Sequence, residues 1–335
     1  MLIDAAERGW VPDLGIRVGI RQLLKKRLNE ETSIETYQSL IDQLKSSDAA
    51  IETQAANDQH YEVPADFFRL ALGPHLKYSS CYWPEGVTTL ADAEAAMLKL
   101  YAKRAQLQDG QRVLDLGCGW GSFSLWAAQQ YPASQFVAVS NSHSQKQFID
   151  ARAKQLGLDN LEVRTADINA LTIAEQFDRI VSVEMLEHVR NYQMVFENLA
   201  KWLRPDGEVF IHIFCNRSLL YPFEDKGQDD WMARHFFTGG LMPAADTLLH
   251  FQDHLKLDQR WQMSGEHYQK TARAWLENTD AKREEITTVL AQTYSAASAP
   301  VWVQRWRMFF MACEELFGYD SGKEWLVCHY RFVRR

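Results

Sequence analysis

An α/β fold built on an open, largely parallel sheet is what this sequence predicts, and three observations predict it. The first is the stretch Val113-Leu114-Asp115-Leu116-Gly117-Cys118-Gly119-Trp120-Gly121, an apolar strand that ends in a glycine turn. The helical-looking Phe123-Ser124-Leu125-Trp126-Ala127-Ala128 follows it at once. The second is a series of short apolar runs at 135–140, 161–164, 177–183 and 208–214, each of strand length. The third is the ending Trp325 to Phe332, which alternates in part and reads as a closing strand. Together they describe a Rossmann-like sheet.

The glycine turn carries the first chemistry. Glycine has no Cβ, so it accepts positive φ and lets a ligand lie against the backbone, while the helix start behind it offers unpaired N–H groups. A dinucleotide turn has the spacing G-x-G-x-x-G, with the pyrophosphate on the helix N-terminus. Here Gly117, Gly119 and Gly121 alternate, and Asp115 stands two residues ahead of them. An acid at the strand end repels phosphate but accepts from an ammonium or a bound water, which suits a ligand with an amino-acid end. S-adenosylmethionine is such a ligand.

Composition narrows the rest. The chain has 335 residues, 46% of them hydrophobic, and a formal net charge of −8. That charge argues against general nucleic-acid binding, where a basic field supplies most of the affinity. Cys81, Cys118, Cys215, Cys313 and Cys328 are scattered, with no C-x-x-C pair, so neither a disulfide framework nor a zinc site is indicated and a reducing cytoplasm is expected. No apolar run reaches eighteen residues, and Asp4 and Glu7 stand where a signal peptide would be basic.

Residues 14–28 place Ile16, Ile20, Leu23, Leu24 and Leu28 on one helical face, with Arg17, Arg21, Lys25, Lys26 and Arg27 mostly elsewhere. The preferred reading is a helix laid on the domain with a solvated basic face; contact with an anionic membrane is the competing one. A second helix is expected over Ser33–Leu44 with Ser33 as its cap, then a polar linker over 45–58. This gives an N-terminal helical extension, 1–58, and a main domain, 59–335. A homodimer is compatible with this layout.

From His60 the motifs become specific. His60-Tyr61-Glu62 leads into Phe67-Phe68, then Tyr78-Ser79-Ser80-Cys81-Tyr82-Trp83, then the D-L-G-C-G-W-G strand. With Asp230-Trp231 to Gly240 and Glu315-Leu316-Phe317-Gly318-Tyr319, this pattern resembles the cyclopropane-fatty-acid synthase family of S-adenosylmethionine-dependent methyltransferases, in particular its plant alkaloid N-methyltransferase branch. The resemblance implies a class I methyltransferase sheet with an inserted helical cap at about 216–300. It also implies that Tyr61, Tyr78 and Ser79 close over the methionine end and sulfonium of the cofactor. Rings and hydroxyls can surround a cation without neutralising it.

The second strand ends Ser140-Asn141-Ser142-His143-Ser144-Gln145, without the ribose-binding acid that nicotinamide folds carry. The resemblance assigns the ribose hydroxyls to Asn141 and Gln145, whose amides donate and accept. After the third strand, Asp167 is placed to accept from the adenine amino group and Ile168 to pack on the ring.

Glu184-Met185-Leu186-Glu187-His188 follows the fourth strand at the sheet edge where ligands bind. A helix starting near Glu184 would put Glu187 one turn along on the same side, with His188 beside it. Metal binding competes weakly, because E-x-x-E-H lacks a second histidine at helical spacing, and no metal is expected. The chemistry these residues suit is amine methylation: His188 as general base, Glu184 and Glu187 as acids that attract the ammonium.

His212 on the fifth strand tests the branch. In the resembling synthases a bicarbonate base is held by a cysteine, the Glu of E-H, a strand histidine and a tyrosine; here Glu187, His212 and Tyr268 are in place, but Ser80 replaces the cysteine and Glu184 stands where those enzymes have glycine. A second carboxylate disfavours an anionic base. Phe214, Trp231, Phe236 and Phe237 are expected pocket aromatics, and one helix is expected over Thr271–Leu290. The sequence thus predicts transfer of a methyl group to a small cyclic or aromatic amine, with an unsaturated acyl chain or a thiol as the alternative acceptor.

Overall fold

A seven-stranded sheet in the order β3-β2-β1-β4-β5-β9-β8 forms the centre of the molecule, seen in a computed structural model that describes residues 2–30, 34–47, 63–227 and 230–335. Its strands are β1 (Arg112–Leu116), β2 (Gln135–Ser140), β3 (Leu161–Thr165), β4 (Phe177–Val183), β5 (Leu203–Asn216), β8 (Leu255–Met263) and β9 (Trp325–Arg334). The first five pair in parallel, and β9 and β8 close the far edge antiparallel. Both faces of the parallel part are covered. That is why Val113-Leu114, Phe136 to Val139 and Ile180-Val181 are continuous apolar runs with little exposure.

The helices are α1 (Leu2–Glu7), α2 (Asp13–Asn29), α3 (Ile34–Ser46), α4 (Ala65–Ala71), α5 (Leu90–Arg104), α6 (Ser122–Gln130), α7 (His143–Leu156), α8 (Tyr192–Trp202), α9 (Trp231–His235), α10 (Glu266–Ala281), α11 (Arg283–Tyr294) and α12 (Ala299–Gly318). Local chemistry starts several of them. The Thr89 side chain accepts from the Asp92 N–H ahead of α5, Ser142 from Gln145 ahead of α7, and Asn191 from Met194 ahead of α8. One face of the sheet packs on α4 to α6 and the bundle α10–α12; the other packs on α3 and α8. A short ribbon, β6 (Tyr221–Pro222) with β7 (Leu241–Met242), flanks α9.

The structure departs from the sequence reading in several places. The expected helix over Thr271–Leu290 is two helices, because Lys282 (φ −114°, ψ 29°) turns the chain between α10 and α11. The segment at 216–300 is not wholly a cap, since β8 lies inside it and pairs with β9. The strand expected over 208–214 begins earlier, at Leu203, which pairs with Phe177 across a register shift. The basic face of α2 is partly paired: Arg17 reaches Glu314 at 2.7 Å and Glu315 at 2.8 Å, and Arg21 reaches Glu315 at 2.5 Å. Leu23, expected on the packed face, is 43% exposed. The cap Ser33 and most of the 45–58 linker lie outside the described residues.

The glycine turn divides its labour. At Gly117 (φ +84°) a Cβ would meet Met185 Cγ at 2.4 Å and Cβ at 2.7 Å, and at Gly121 (φ +78°) it would meet Ile149 Cγ1 at 2.8 Å. Gly119 (φ +52°) has nothing within 4 Å. Only Gly119 faces open space of the kind a ligand fills. Gly117→Ala is therefore expected to destabilise the fold by about 1–3 kcal/mol through strain and the clash with Met185. Gly119→Ala meets no clash and carries only the left-handed backbone strain of about 1 kcal/mol, so it should lower the melting temperature less than Gly117→Ala while weakening S-adenosylmethionine binding, and paired melting and calorimetry curves check both.

Candidate active site

Sheet order reverses between β1 and β4, and that is where the site forms. A cavity of about 790 Å³ opens over the C-terminal ends of these strands, and a smaller one of about 80 Å³ adjoins it beside β2. The smaller is lined by Asn141, Gln145, Asp167, Ile168, Leu171 and Met185, with His188 and Gly119 shared between the two. Asn141, Gln145, Asp167 and Ile168 are thus gathered in one recess. Gln145 is tied down inside it, its amide oxygen accepting from Ser140 Oγ at 2.6 Å. Asp167 is turned by its own chain, accepting from the Asn169 N–H at 2.7 Å.

Asp115 ends β1 at the cavity wall, where it accepts from Ser124 Oγ at 2.5 Å. Burial pushes its carboxyl up to about 7 against that hydrogen bond. An open backbone at Gly119, an acid at the strand end and the adjoining amide-lined recess fit S-adenosylmethionine: Asp115 would hold its cationic amino-acid end, and Asn141, Gln145 and Asp167 its nucleoside. Tyr78 and Ser79 line the same cavity. Tyr61 lies outside the described residues.

Glu184 lines the larger cavity. It follows β4 with φ +47°, a left-handed conformation that glycine adopts freely and that other residues adopt at a cost of about 1–2 kcal/mol. Three donors hold it there. Oε1 accepts from the Ser80 N–H at 2.9 Å and meets His212 Nε2 at 2.9 Å, and Oε2 accepts from the Tyr268 hydroxyl at 2.8 Å. A carboxylate has about four lone-pair directions. Three are used, and the side chain still lines the cavity at 8% exposure. Burial raises its carboxyl to about 7, opposed by the nearby Lys77 ammonium and the donors from Ser80 and Tyr268.

Glu187 has a different environment from the one its spacing suggested. No helix begins at Glu184; only a single 3-10 turn, Leu186–His188, follows it. Glu187 is consequently fully buried, its Oε1 accepting from the Phe214 N–H at 2.8 Å and its Oε2 without a hydrogen-bond partner among the described residues. Burial and the adjacent Glu184 charge push its carboxyl well above the usual range. It is not among the residues that line the cavities.

His188 does line the cavity, its ring 4.8 Å from that of Phe237. Phe214, Phe237, Trp231 and Tyr268 line it too, joined by Tyr221, Phe223, Phe309 and Phe317. Tyr268 stacks on Phe317 at 4.1 Å. Phe236 is not on the wall: it is fully buried, stacked on Phe309 and packed against Trp306. Ser80 contributes its backbone rather than its hydroxyl, which donates to the Cys81 carbonyl. His212 is wholly buried behind Glu184.

Several contributors were not visible in the sequence. Lys77 is 1% exposed and donates to Ser79 Oγ at 2.5 Å and to the Ser80 carbonyl at 2.6 Å, fixing the loop that presents Ser79 and Ser80. Glu94 accepts from the N–H groups of Gly73, His75 and Lys77, which holds the turn leading into that loop. A lysine directly before Tyr78-Ser79-Ser80 in an apolar stretch was the one signal available. On the outer side α2 supplies Ile20, Leu24 and Arg27 to the mouth, so the helical extension is part of the site. Among the described residues no cluster of metal-binding side chains occurs, and no helix is long and apolar enough to cross a membrane.

Known proteins resemble this chain in sequence and fold. The family model for mycolic acid cyclopropane synthetase matches residues 49–325. (S)-coclaurine N-methyltransferase of Thalictrum flavum subsp. glaucum is 38% identical across 100% of this chain and 95% of its own. Cyclopropane-fatty-acyl-phospholipid synthase of Escherichia coli (strain K12) is 32% identical across 82% of this chain and 67% of its own. A crystal structure of coclaurine N-methyltransferase bound to N-methylheliamine and SAH superposes with a TM-score of 0.94 at 36% identity, covering 99% of this chain and 98% of that one. A cyclopropane synthase of Mycobacterium tuberculosis, 22% identical over 86% of this chain and all of its own, shares the fold with a TM-score of 0.69. The chain belongs to the cyclopropane synthetase family, as one of its S-adenosylmethionine-dependent methyltransferases.

Proposed function

We propose that this enzyme methylates the nitrogen of a small cyclic or aromatic amine, with Glu184 binding the ammonium and His188 taking its proton. The observation that carries the reading is a buried carboxylate with three donors and one acceptor direction to spare, set into a wall of aromatic rings. An amine enters largely protonated; Glu184 pairs with it and the rings cover its apolar body. His188 removes the N–H proton and exposes the lone pair. The bound cofactor supplies an electrophilic methyl on a sulfonium. Holding the nitrogen in line with it is a matter of position, which Glu184, Tyr268 and Phe214 fix from three sides. The new ammonium stays opposite Glu184 until release.

A like-charged neighbour would spoil this, and burial together with the Glu184 charge raises the Glu187 carboxyl, which disfavours a second negative charge beside the amine. The cysteines are all buried and unpaired, which supports a reducing, cytoplasmic setting.

An acceptor panel tests the substrate class. Purified protein with S-adenosylmethionine is expected to add one methyl to cyclic secondary amines bearing an aromatic ring, read by mass spectrometry, and to turn over open-chain alkylamines at least tenfold more slowly. Equal rates on both sets would remove the aromatic wall from the account.

A further inference from the structure

Behind Glu184 a line of buried polar side chains runs along one face of the sheet, beneath α5, from β4 across β5 to β9. Glu184 Oε1 meets His212 Nε2 at 2.9 Å, His212 Nδ1 meets His329 Nε2 at 2.9 Å, and His329 Nδ1 meets Arg104 Nη1 at 2.6 Å. His212 on β5 and His329 on β9 sit directly across the register of the two strands, and both are 0% exposed. Arg104, the last residue of α5, is partly exposed, with its guanidinium 4.8 Å from the Trp261 ring.

The chain has a direction. A guanidinium has five donors and no acceptor, so Arg104 can only donate to His329 Nδ1. A neutral His329 then carries its proton on Nε2 and donates it to His212 Nδ1. His212 in turn carries its proton on Nε2 and donates it to Glu184. The Tyr101 hydroxyl, 2.8 Å from His212 Nδ1, shares that nitrogen's one lone pair with the His329 N–H in a three-centre contact. Burial and the positive charges of Arg104 and Lys77 hold both imidazoles in the neutral form this requires.

We infer that Arg104 and His329 are positioning residues for Glu184: through His212 they set one histidine tautomer after another, so that an N–H is always aimed at the carboxylate. The orientation also excludes the line as an exit for the amine proton. Every hydrogen already points toward Glu184, and a proton leaving it would find His212 Nε2 occupied. The residues act at a distance, with neither histidine on the cavity wall.

This inference rests on the assignment of Glu184 as the amine-binding acid, and its test separates the two. Full-length protein carrying ¹⁵N-labelled histidine is examined by long-range proton–nitrogen correlation at pH 8, with His212→Gln and His329→Gln to assign the signals. Both rings are expected as neutral Nε2–H tautomers. An Nδ1–H tautomer or an imidazolium at either position overturns the inference whatever the acceptor is. In Arg104→Met the His329 signal is expected to lose its single tautomer, and kcat/KM for the amine to fall about tenfold, as for other supporting partners of a site residue. The Kd for S-adenosylmethionine should stay within twofold. Arg104→Lys, which also only donates, should restore both the tautomer and most of the rate. An Arg104→Met enzyme with wild-type tautomers and wild-type kcat/KM would equally overturn the inference, whereas an inert Glu184→Gln substitution would overturn the amine-binding assignment alone.

Discussion

Glu184→Gln is expected to lower kcat/KM for the amine by about 10³-fold while S-adenosylmethionine binds as before. Glutamine keeps the size of the side chain and an acceptor for Ser80 and His212, so the loss measures charge rather than shape. The variant also has a signature in stability. Burial raises the folded-state carboxyl to about 7, above its ordinary value of 4.5. A raised acid contributes stability that is present below its unfolded value and is lost as pH rises through its folded value. The wild type therefore gives up folding free energy between pH 4.5 and 7 in order to hold an anion at the site. Glutamine has nothing to ionise. At pH 8 Glu184→Gln should be the more stable protein by on the order of 3 kcal/mol, and at pH 4, below the unfolded value, the two should melt together. Ionisation of the same group is expected to make wild-type kcat rise with pH through about 7, and the variant lacks that contribution. A variant as active as wild type would remove Glu184 from the mechanism.

His188→Ala is expected to cut kcat by about 10²–10³-fold. The ring lies at the junction of the two cavities and packs beside Phe237, so its removal also leaves space next to the reacting atoms. Exogenous imidazole should enter that space and recover part of the rate, rising with imidazole concentration and with pH as the neutral form becomes available. Loss without recovery would mean that His188 supports the wall of the site and takes no proton. His188→Gln, which fills the space without a base, should remain slow with imidazole present and separates the two explanations.

Much of the frame could be read from residue types. Strands covered on both faces are apolar throughout, so β1, β2, β3 and β4 stood out almost to the residue, and the glycine turn announced the ligand side of the sheet. Helix breaks were less legible. Nothing in Thr271 to Leu290 but the backbone of Lys282 parts α10 from α11. Glu187 shows why spacing misled at the site itself. Three residues apart means one face only in a helix, and the left-handed backbone at Glu184 with a single 3-10 turn behind it sends the two acids into different surroundings. The support of Glu184 was hidden for another reason. Ser80, His212, Tyr268 and His329 come from four separate parts of the chain, and only the register of β5 on β9 and the packing of α10 bring them together.

The most direct test of amine methylation is a competition in one tube. Label from methyl-labelled S-adenosylmethionine is offered simultaneously to a cyclic secondary amine and to vesicles of unsaturated phospholipid, and the products are separated by solvent partition. Glu184 as an ammonium-binding anion predicts label in the amine and none in the acyl chains, with the amine signal lost in Glu184→Gln. Label in the acyl chains, retained in Glu184→Gln, would contradict it and make the lipid double bond the acceptor.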